Sequence, residues 1–310
     1  MKVLVTGGSG MVGSSLKIIQ PDWIYLSSEN GDLTDFEIVR NIFKTHQPEI
    51  LIHLAANVGG LFKNQAKRLD MFNSNLMINY NVLENAYLAG IKRIICCLST
   101  CIFPEGLNRV ITEKDLHLGE PHHSNYGYAY AKRIMEVQCR LYNETPGYNY
   151  QCIIPTNIYG PYDNFNIQDS HVIPALIHKA YLHSINNSDK PMTILGSGLP
   201  KRQFIYSVDL AKIIVELVRI NNTEPLLICS CPEKDETSIL NIAKLIAKEF
   251  NILEVIPSDI NVGNNDGQQI KTVCPSRLVE ILPNYLPTSL EVGIHETITW
   301  FKENYPNLRL

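Results

Sequence analysis

Four residues have the types and spacing for proton chemistry at a carbonyl: Ser99, Cys101, Tyr128 and Lys132. A Ser followed downstream by Tyr-x-x-x-Lys is the proton-handling set of a nicotinamide-dependent reductase. The phenol gives a proton to a carbonyl oxygen as hydride arrives at carbon, and Ser99 holds that oxygen. Tyr128 and Lys132 stand four apart on an expected helix and share one face. The ammonium is expected to favour the tyrosinate and bring the phenol's pKa toward working pH. Tyr126 and Tyr130 compete for the role, but neither has Lys four residues later. Cys101 adds a second chemistry. A thiol contributes nothing to hydride transfer, yet it can move a proton on and off carbon beside a ketone. The set points to one site that both epimerises and reduces a sugar.

These residues need a cofactor cradle. Gly7-Gly8-Ser9-Gly10-Met11-Val12-Gly13 follows an apolar run and opens a helical pattern. Gly7, Gly10 and Gly13 allow a tight turn, close approach to a pyrophosphate and tight helix–strand packing. The helix N-terminus then favours the anion. The next apolar run ends at Ser27-Ser28-Glu29. Both serines can donate to a ribose phosphate, whereas Glu29 would favour a free 2′-hydroxyl. Asp32 is placed toward adenine, and Ala55-Ala56 along the cofactor.

The rest of the chain reads as the frame. Expected strands cover Lys2–Thr6, Trp23–Ser27, Glu49–Leu54, Ile91–Leu98 and Asn149–Ile154. Between them fall helices over Met11–Ile19, Asp35–Thr45, Leu69–Ala89 and Tyr126–Tyr142, with Gly90 as a C-cap. This alternation predicts an α/β fold, a Rossmann-type doubly wound parallel sheet covered on both faces. The pattern loosens after Pro155. Residues 161–200 are rich in Asn, Pro, Ser and Gly, Gln203–Tyr206 and Ser207–Ile220 return to the sheet, and 232–310 read as short helices and loops. We therefore expect a dinucleotide domain over 1–162 plus about 203–231. A smaller interleaved C-terminal α/β substrate domain would take about 163–202 plus 232–310.

Composition narrows the class. Hydrophobic content of 45% and charged content of 19% over 310 residues are globular values. A net charge of −4 leaves no basic footprint for nucleic acid. The start is not a signal peptide and no run is long enough to span a membrane. Eight scattered cysteines then suggest reduced thiols in the cytoplasm. Cys96, Cys97, Cys229 and Cys231 read as core. His122-His123 reads as a solvated loop, since no ligand spacing for a metal accompanies it.

Longer segments carry a family resemblance: His53–Gly60, Ser99–Pro104, Tyr126–Arg133, Pro155–Phe165, Ser170–Lys179 and Gly196–Asp209. Over essentially its whole length the chain resembles the extended short-chain dehydrogenase/reductases, and within them the GDP-L-fucose synthases. That resemblance implies an NADP(H)-dependent 3,5-epimerase/4-reductase acting on GDP-4-keto-6-deoxy-D-mannose. It places catalytic positions on Ser99, Cys101, Tyr128, Lys132 and His171, with Cys101 as base and His171 as acid. Cofactor positions fall on Gly7, Ser9, Gly10, Met11, Val12, Gly13, Ser27, Ser28, Asp32 and Leu33. They continue through Leu54, Ala55, Ala56, Val58, Pro155, Asn157 and Ile158 to the catalytic Tyr128, Lys132 and His171. Substrate positions fall on Ser99, Thr100, Cys101, Asn157, Asn164, Phe165, Lys179, Leu195, Arg202 and Lys271. Leu195 stands where the family carries Trp, so the same chemistry on a UDP-linked sugar is the second reading. A non-catalytic dinucleotide-binding scaffold is the third. The resemblance also implies a homodimer paired through the two long helices.

Overall fold

The computed structural model describes residues 1–107, 109–186, 190–231, 236–258 and 271–310. Its centre is a six-stranded sheet in the order β10-β5-β4-β3-β1-β2. The strands are β1 (Val3–Thr6), β2 (Ile24–Tyr25), β3 (Ile50–His53), β4 (Arg93–Cys97), β5 (Asn149–Pro155) and β10 (Leu226–Cys229), and every pairing is parallel. β1 and β3 are buried throughout, as strands covered on both faces require. Helices α2 (Phe36–His46), α4 (Arg68–Leu88) and α5 (Tyr126–Tyr142) cover one face. Helices α1 (Met11–Ile19) and α7 (Ser207–Arg219) cover the other.

Local chemistry sets several boundaries. Asp35 caps α2, its Oδ1 accepting from the Glu37 and Ile38 N–H groups. α4 stops at Gly90, whose φ of 73° suits a residue without Cβ. β2 is shorter than expected because Ser27 leaves the sheet to cap the turn Ser28–Asn30. The edge strand β10 escapes the periodicity reading, since four consecutive apolar residues show no period.

The smaller lobe holds three two-stranded ladders and a separate apolar cluster. β6 (Asn157–Tyr159) pairs with β9 (Phe204–Tyr206), β7 (Met192–Ile194) with β12 (Val255–Pro257), and β8 (Lys201–Arg202) with β11 (Thr237–Ser238). The cluster joins α6 (Val172–Ile185), α8 (Ile239–Glu249) and α10 (Leu290–Asn304). Two expectations change here. The Asn/Pro-rich stretch contains fourteen-residue α6, apolar on most sides and so without an amphipathic period. The C-terminal stretch ends in a fifteen-residue helix, not only short ones. Val273 and Leu278 of the expected substrate segment instead pack into the clusters on the sheet. The start of that segment, 232–235, lies outside the described residues.

Candidate active site

β1 and β3 adjoin at the point where the strand order reverses, and the loops leaving their C-terminal ends form the cradle. Gly7 adopts φ 70°, and a Cβ there would lie 2.7 Å from the Ala55 nitrogen. A Cβ on Gly13 would lie 2.4 Å from the Gly7 carbonyl oxygen. Any side chain at either position would close the turn against its neighbours. Gly10 caps α1 without a side-chain hydrogen bond, leaving the first-turn N–H groups around Met11, Val12 and Gly13 for an anion. Ser9 is exposed on this loop. These features fit a dinucleotide pyrophosphate.

Around the cradle the expected cofactor residues are differently placed. Leu54, Ala55 and Ala56 are half-buried beyond β3, and Val58 is exposed. Ser27 Oγ accepts from the Glu29 N–H at 3.3 Å, and Asp32 Oδ1 accepts from the Thr34 N–H at 2.9 Å. Ser27 therefore stabilises the turn that exposes Ser28 and Glu29, and Asp32 stabilises the turn that follows it. Leu33 packs against the sheet cluster, its carbonyl accepting from Asn81. Pro155 is buried within β5, so its side chain is closed to a ligand, contrary to expectation.

Ser99 begins a 3₁₀ turn, Thr100–Ile102, two residues past β4. The Cys101 N–H donates to Ser99 Oγ at 3.3 Å. Tyr128 and Lys132 sit on one face of α5, with Nζ 5.8 Å from the phenol ring centre. Nζ donates to the Cys97 carbonyl at 2.8 Å, tying the helix to the end of β4. Burial, reinforced by Cys101 and Cys97, pushes the Tyr128 phenol well above its ordinary value. The expectation that Lys132 brings the phenol toward working pH is therefore corrected. Burial and the two thiols set this direction, and Tyr128 stands as a protonated donor. Arg133 anchors the same turn, donating to the Ile102 carbonyl at 2.6 Å and the Gly119 carbonyl at 2.8 Å. Sequence reasoning gave Arg133 no role; its signal is a charge on the buried side of α5.

One open cleft of about 340 Å³ joins the two lobes. It brings together Ser99, Thr100, Cys101, Tyr128, Asn157, Ile158, His171, Lys179, Leu195, Arg202 and Lys271. Burial pushes the Cys101 thiol up, while Lys271, the Ser99 hydroxyl, Lys132 and Arg133 pull it back. His171 opens α6 and faces the cleft. Its ring touches solvent there, but the protein walls displace bulk water and lower its pKa. Burial lowers Lys271 to about 8 against the opposing pull of Cys101. Lys179 Nζ lies 3.3 Å from Thr193 Oγ1, and burial lowers its pKa too. Asn157 Nδ2 donates to the Gln203 carbonyl at 2.8 Å. Leu195 is 57% exposed. Asn64, Ser124 and Asn125 also line the cleft and were not anticipated.

Four expectations fail in this region. Phe165 is fully buried against Trp300 and Phe301, so its side chain is core. Asn164 lies outside the cleft lining, its Oδ1 accepting from the Asn166 N–H. Cys231 is only half-buried, whereas Cys96 and Cys229 are fully buried and half-buried Cys97 packs against the sheet cluster within β4. His122 is buried, not solvated. Its Nδ1 accepts from the Ser124 N–H, which leaves the ring proton on Nε2 facing Glu105 at 3.4 Å. That arrangement suits pairing with the carboxylate, although Glu105, His122 and His123 do bring their ligand atoms within 4.8 Å.

The cradle, the Tyr–Lys helix and the interlobe cleft define a dinucleotide-dependent enzyme of the NAD dependent epimerase/dehydratase family, whose family model matches residues 3–226. Within that class the chain belongs to the GDP-L-fucose synthase family. It is 40% identical over 320 residues to a probable GDP-L-fucose synthase of Drosophila melanogaster, covering 99% of both chains. It is 43% identical over 316 residues to the GDP-L-fucose synthase of Dictyostelium discoideum, covering 99% of this chain and 97% of that one. A GDP-L-fucose synthetase from Naegleria fowleri, solved bound to NADP, superposes with a TM-score of 0.90 at 37% identity, covering 99% and 94%.

Proposed function

We infer that the protein is an NADP(H)-dependent 3,5-epimerase/4-reductase that converts GDP-4-keto-6-deoxy-D-mannose to GDP-L-fucose. The observation that carries this reading is the convergence of Cys101, His171, Ser99 and Tyr128 on one cleft, which also holds Lys179, Arg202 and Lys271.

The 4-keto group acidifies the hydrogens on C3 and C5. At each centre Cys101, as thiolate, removes the proton from one face and His171 delivers one to the opposite face, solvent exchange restoring the pair between the two inversions. Ser99 holds the C4 oxygen. NADPH, when bound, supplies the hydride that reduces C4. Tyr128 gives its phenolic proton to the C4 oxygen, and buried Lys132 sits close enough to stabilise the charge left on the phenol. Arg202, Lys179 and Lys271 offer cations for the diphosphate. The glycine loop, Ser9 and the serines after β2 are assigned to the cofactor. Domain limits of 1–162 plus about 203–231, with 271–285 packed on that unit, follow from the same division of labour. Incubation with the keto-sugar and NADPH tests the reading. GDP-L-fucose with matching NADPH oxidation is expected; no turnover of the GDP sugar would overturn it.

We also propose a homodimer built on α4 and α5. Leu69, Met77, Tyr80 and Leu88 form an exposed stripe on α4, and Tyr126, Ile134 and Leu141 form one on α5. Their spacing of three, seven or eight puts each set on one helix face. Ile134→Asp should give a monomeric mass in solution; a wild-type monomer would refute the assembly. No described helix is long and apolar enough to cross a membrane. No disulfide joins the cysteines of the described residues, which supports action in the reducing cytoplasm.

A further inference from the structure

His53 is a buried titratable group that the mechanism leaves unused. His53 ends β3 and is completely buried. Both ring nitrogens have partners: Nδ1 lies 2.8 Å from Thr6 Oγ1, and Nε2 lies 3.1 Å from Asn79 Oδ1. Asn79 Nδ2 lies 3.4 Å from the Ala131 carbonyl, one residue before Lys132. Thr6 Oγ1 in turn accepts from the Ala55 N–H at 3.3 Å.

The donors and acceptors fit in one direction only. The Ala131 carbonyl can only accept, so the Asn79 amide presents nitrogen to it and oxygen to His53. An oxygen acceptor requires the ring proton on Nε2. Nδ1 is then an acceptor and takes the Thr6 hydroxyl proton, while Thr6 oxygen accepts from Ala55. The chain runs from the loop beside Gly7 to the backbone of the catalytic helix without a conflict. Burial, with a contribution from Lys132, lowers His53 to about 4, so the ring is neutral at physiological pH. α4 grips the same loop a second time: Asn75 accepts from the Asn57 N–H and donates to the Asn57 carbonyl, both at 2.9 Å.

We propose that His53, as the Nε2–H tautomer, is a positioning residue that sets the register of the Tyr128–Lys132 helix against the cofactor loop. It touches no reacting atom. Its effect is to hold Ala55 and Ala131 at fixed separation, so the proton donor and the hydride donor meet the same carbonyl. This role rests on the reductase reading above, but the tautomer does not.

Two measurements test it. In ¹⁵N-histidine-labelled protein, His53 should show a protonated Nε2 and an unprotonated Nδ1 at pH 7, with or without NADPH. Thr6→Val keeps the shape but removes the hydroxyl. It should lower kcat for ketone reduction about ten- to a hundredfold, the effect of a misplaced reacting pair, with KM for the sugar within about twofold. Thr6→Ser, which restores the hydroxyl, should recover most of the rate. An Nδ1–H or doubly protonated ring at pH 7 would overturn the proposal, and that reading needs no variant to fold. So would a folded Thr6→Val with wild-type kcat, or a Thr6→Ser no better than Thr6→Val. Absence of reduction by the wild type would instead count against the functional reading, with the tautomer still decided by the spectrum.

Discussion

A single methyl group at Gly60 should separate the two half-reactions. Gly60 caps α3 (Leu61–Ala66) with φ −67° and ψ −175°, a conformation open to any residue, so alanine brings no backbone strain. The obstacle is steric. A Cβ there would lie 2.2 Å from the Ser170 carbonyl oxygen. An ordinary carbon–oxygen contact is about 3.3 Å, so the two segments must part by about 1 Å. They are also tied, since the Gly60 N–H donates to the Asp169 carbonyl at 2.9 Å. The movement therefore passes to the loop that ends in His171. A shift of that size at a catalytic group costs about a hundredfold in rate. Overpacking costs about 1–3 kcal/mol of stability. The assay is deuterium wash-in at C3 and C5 of the keto-sugar in D₂O without NADPH, followed by NMR. Gly60→Ala should lower wash-in about a hundredfold. NADPH affinity should stay within about twofold, because the glycine turn at Gly7–Gly13 lies on a separate loop and the clash is with Ser170. Gly119→Ala is the control, since its Cβ would meet the Pro104 side chain at an ordinary 3.4 Å. A folded Gly60→Ala with wild-type wash-in would refute the link between this contact and His171.

Four further outcomes follow from the site and its surroundings. Cys101→Ser should cut wash-in about a hundredfold or more while preserving NADPH binding, whereas Tyr128→Phe should preserve wash-in and slow NADPH oxidation; wild-type epimerisation by Cys101→Ser would remove the thiol from the mechanism. With His171 lowered and Cys101 raised, the active imidazolium–thiolate pair is a minority form, and the wash-in rate should be bell-shaped in pH with His171 on the acid limb and Cys101 on the alkaline limb. Lys271 is lowered to about 8 and so loses its charge before Cys101 titrates; Lys271→Arg, charged throughout, should draw the alkaline limb and the pH dependence of Cys101 alkylation down, and an unmoved limb would refute the pairing. Asp163 is raised to about 7, chiefly by burial, and its Oδ2 has no partner among the described residues. A raised carboxyl pKa means stability present at low pH and lost as pH rises through 7. The advantage of Asp163→Asn in denaturant melts should thus grow by at most about 3 kcal/mol between pH 5 and pH 8; an advantage that shrank with rising pH would reverse the assignment.

What the sequence disclosed divides along a physical line. The glycine turn, the Ser99–Cys101 turn and the Tyr128–Lys132 pair are local. Their spacing alone fixes how they face one another once a strand or helix forms. The resemblance added His171 and the cations, which lie far along the chain and meet only in the folded cleft. It also misled at Phe165, because a residue can belong to a motif by packing against Trp300 and Phe301 without touching a ligand. The supports stayed hidden for a related reason. Asn75, Asn79, Asn81 and Asn85 read as breaks in the apolar face of α4, yet all four are buried. Each donates to a backbone carbonyl outside its own helix, at Asn57, Ala131, Leu33 and Phe36 respectively. A buried amide is stable only with its partners made, and those partners lie 18 to 52 residues away in sequence. Polar residues on an otherwise buried helix face are therefore the trace that positioning groups leave in a sequence. Arg133 on α5, holding the turn that carries Cys101, is the same trace on the neighbouring helix.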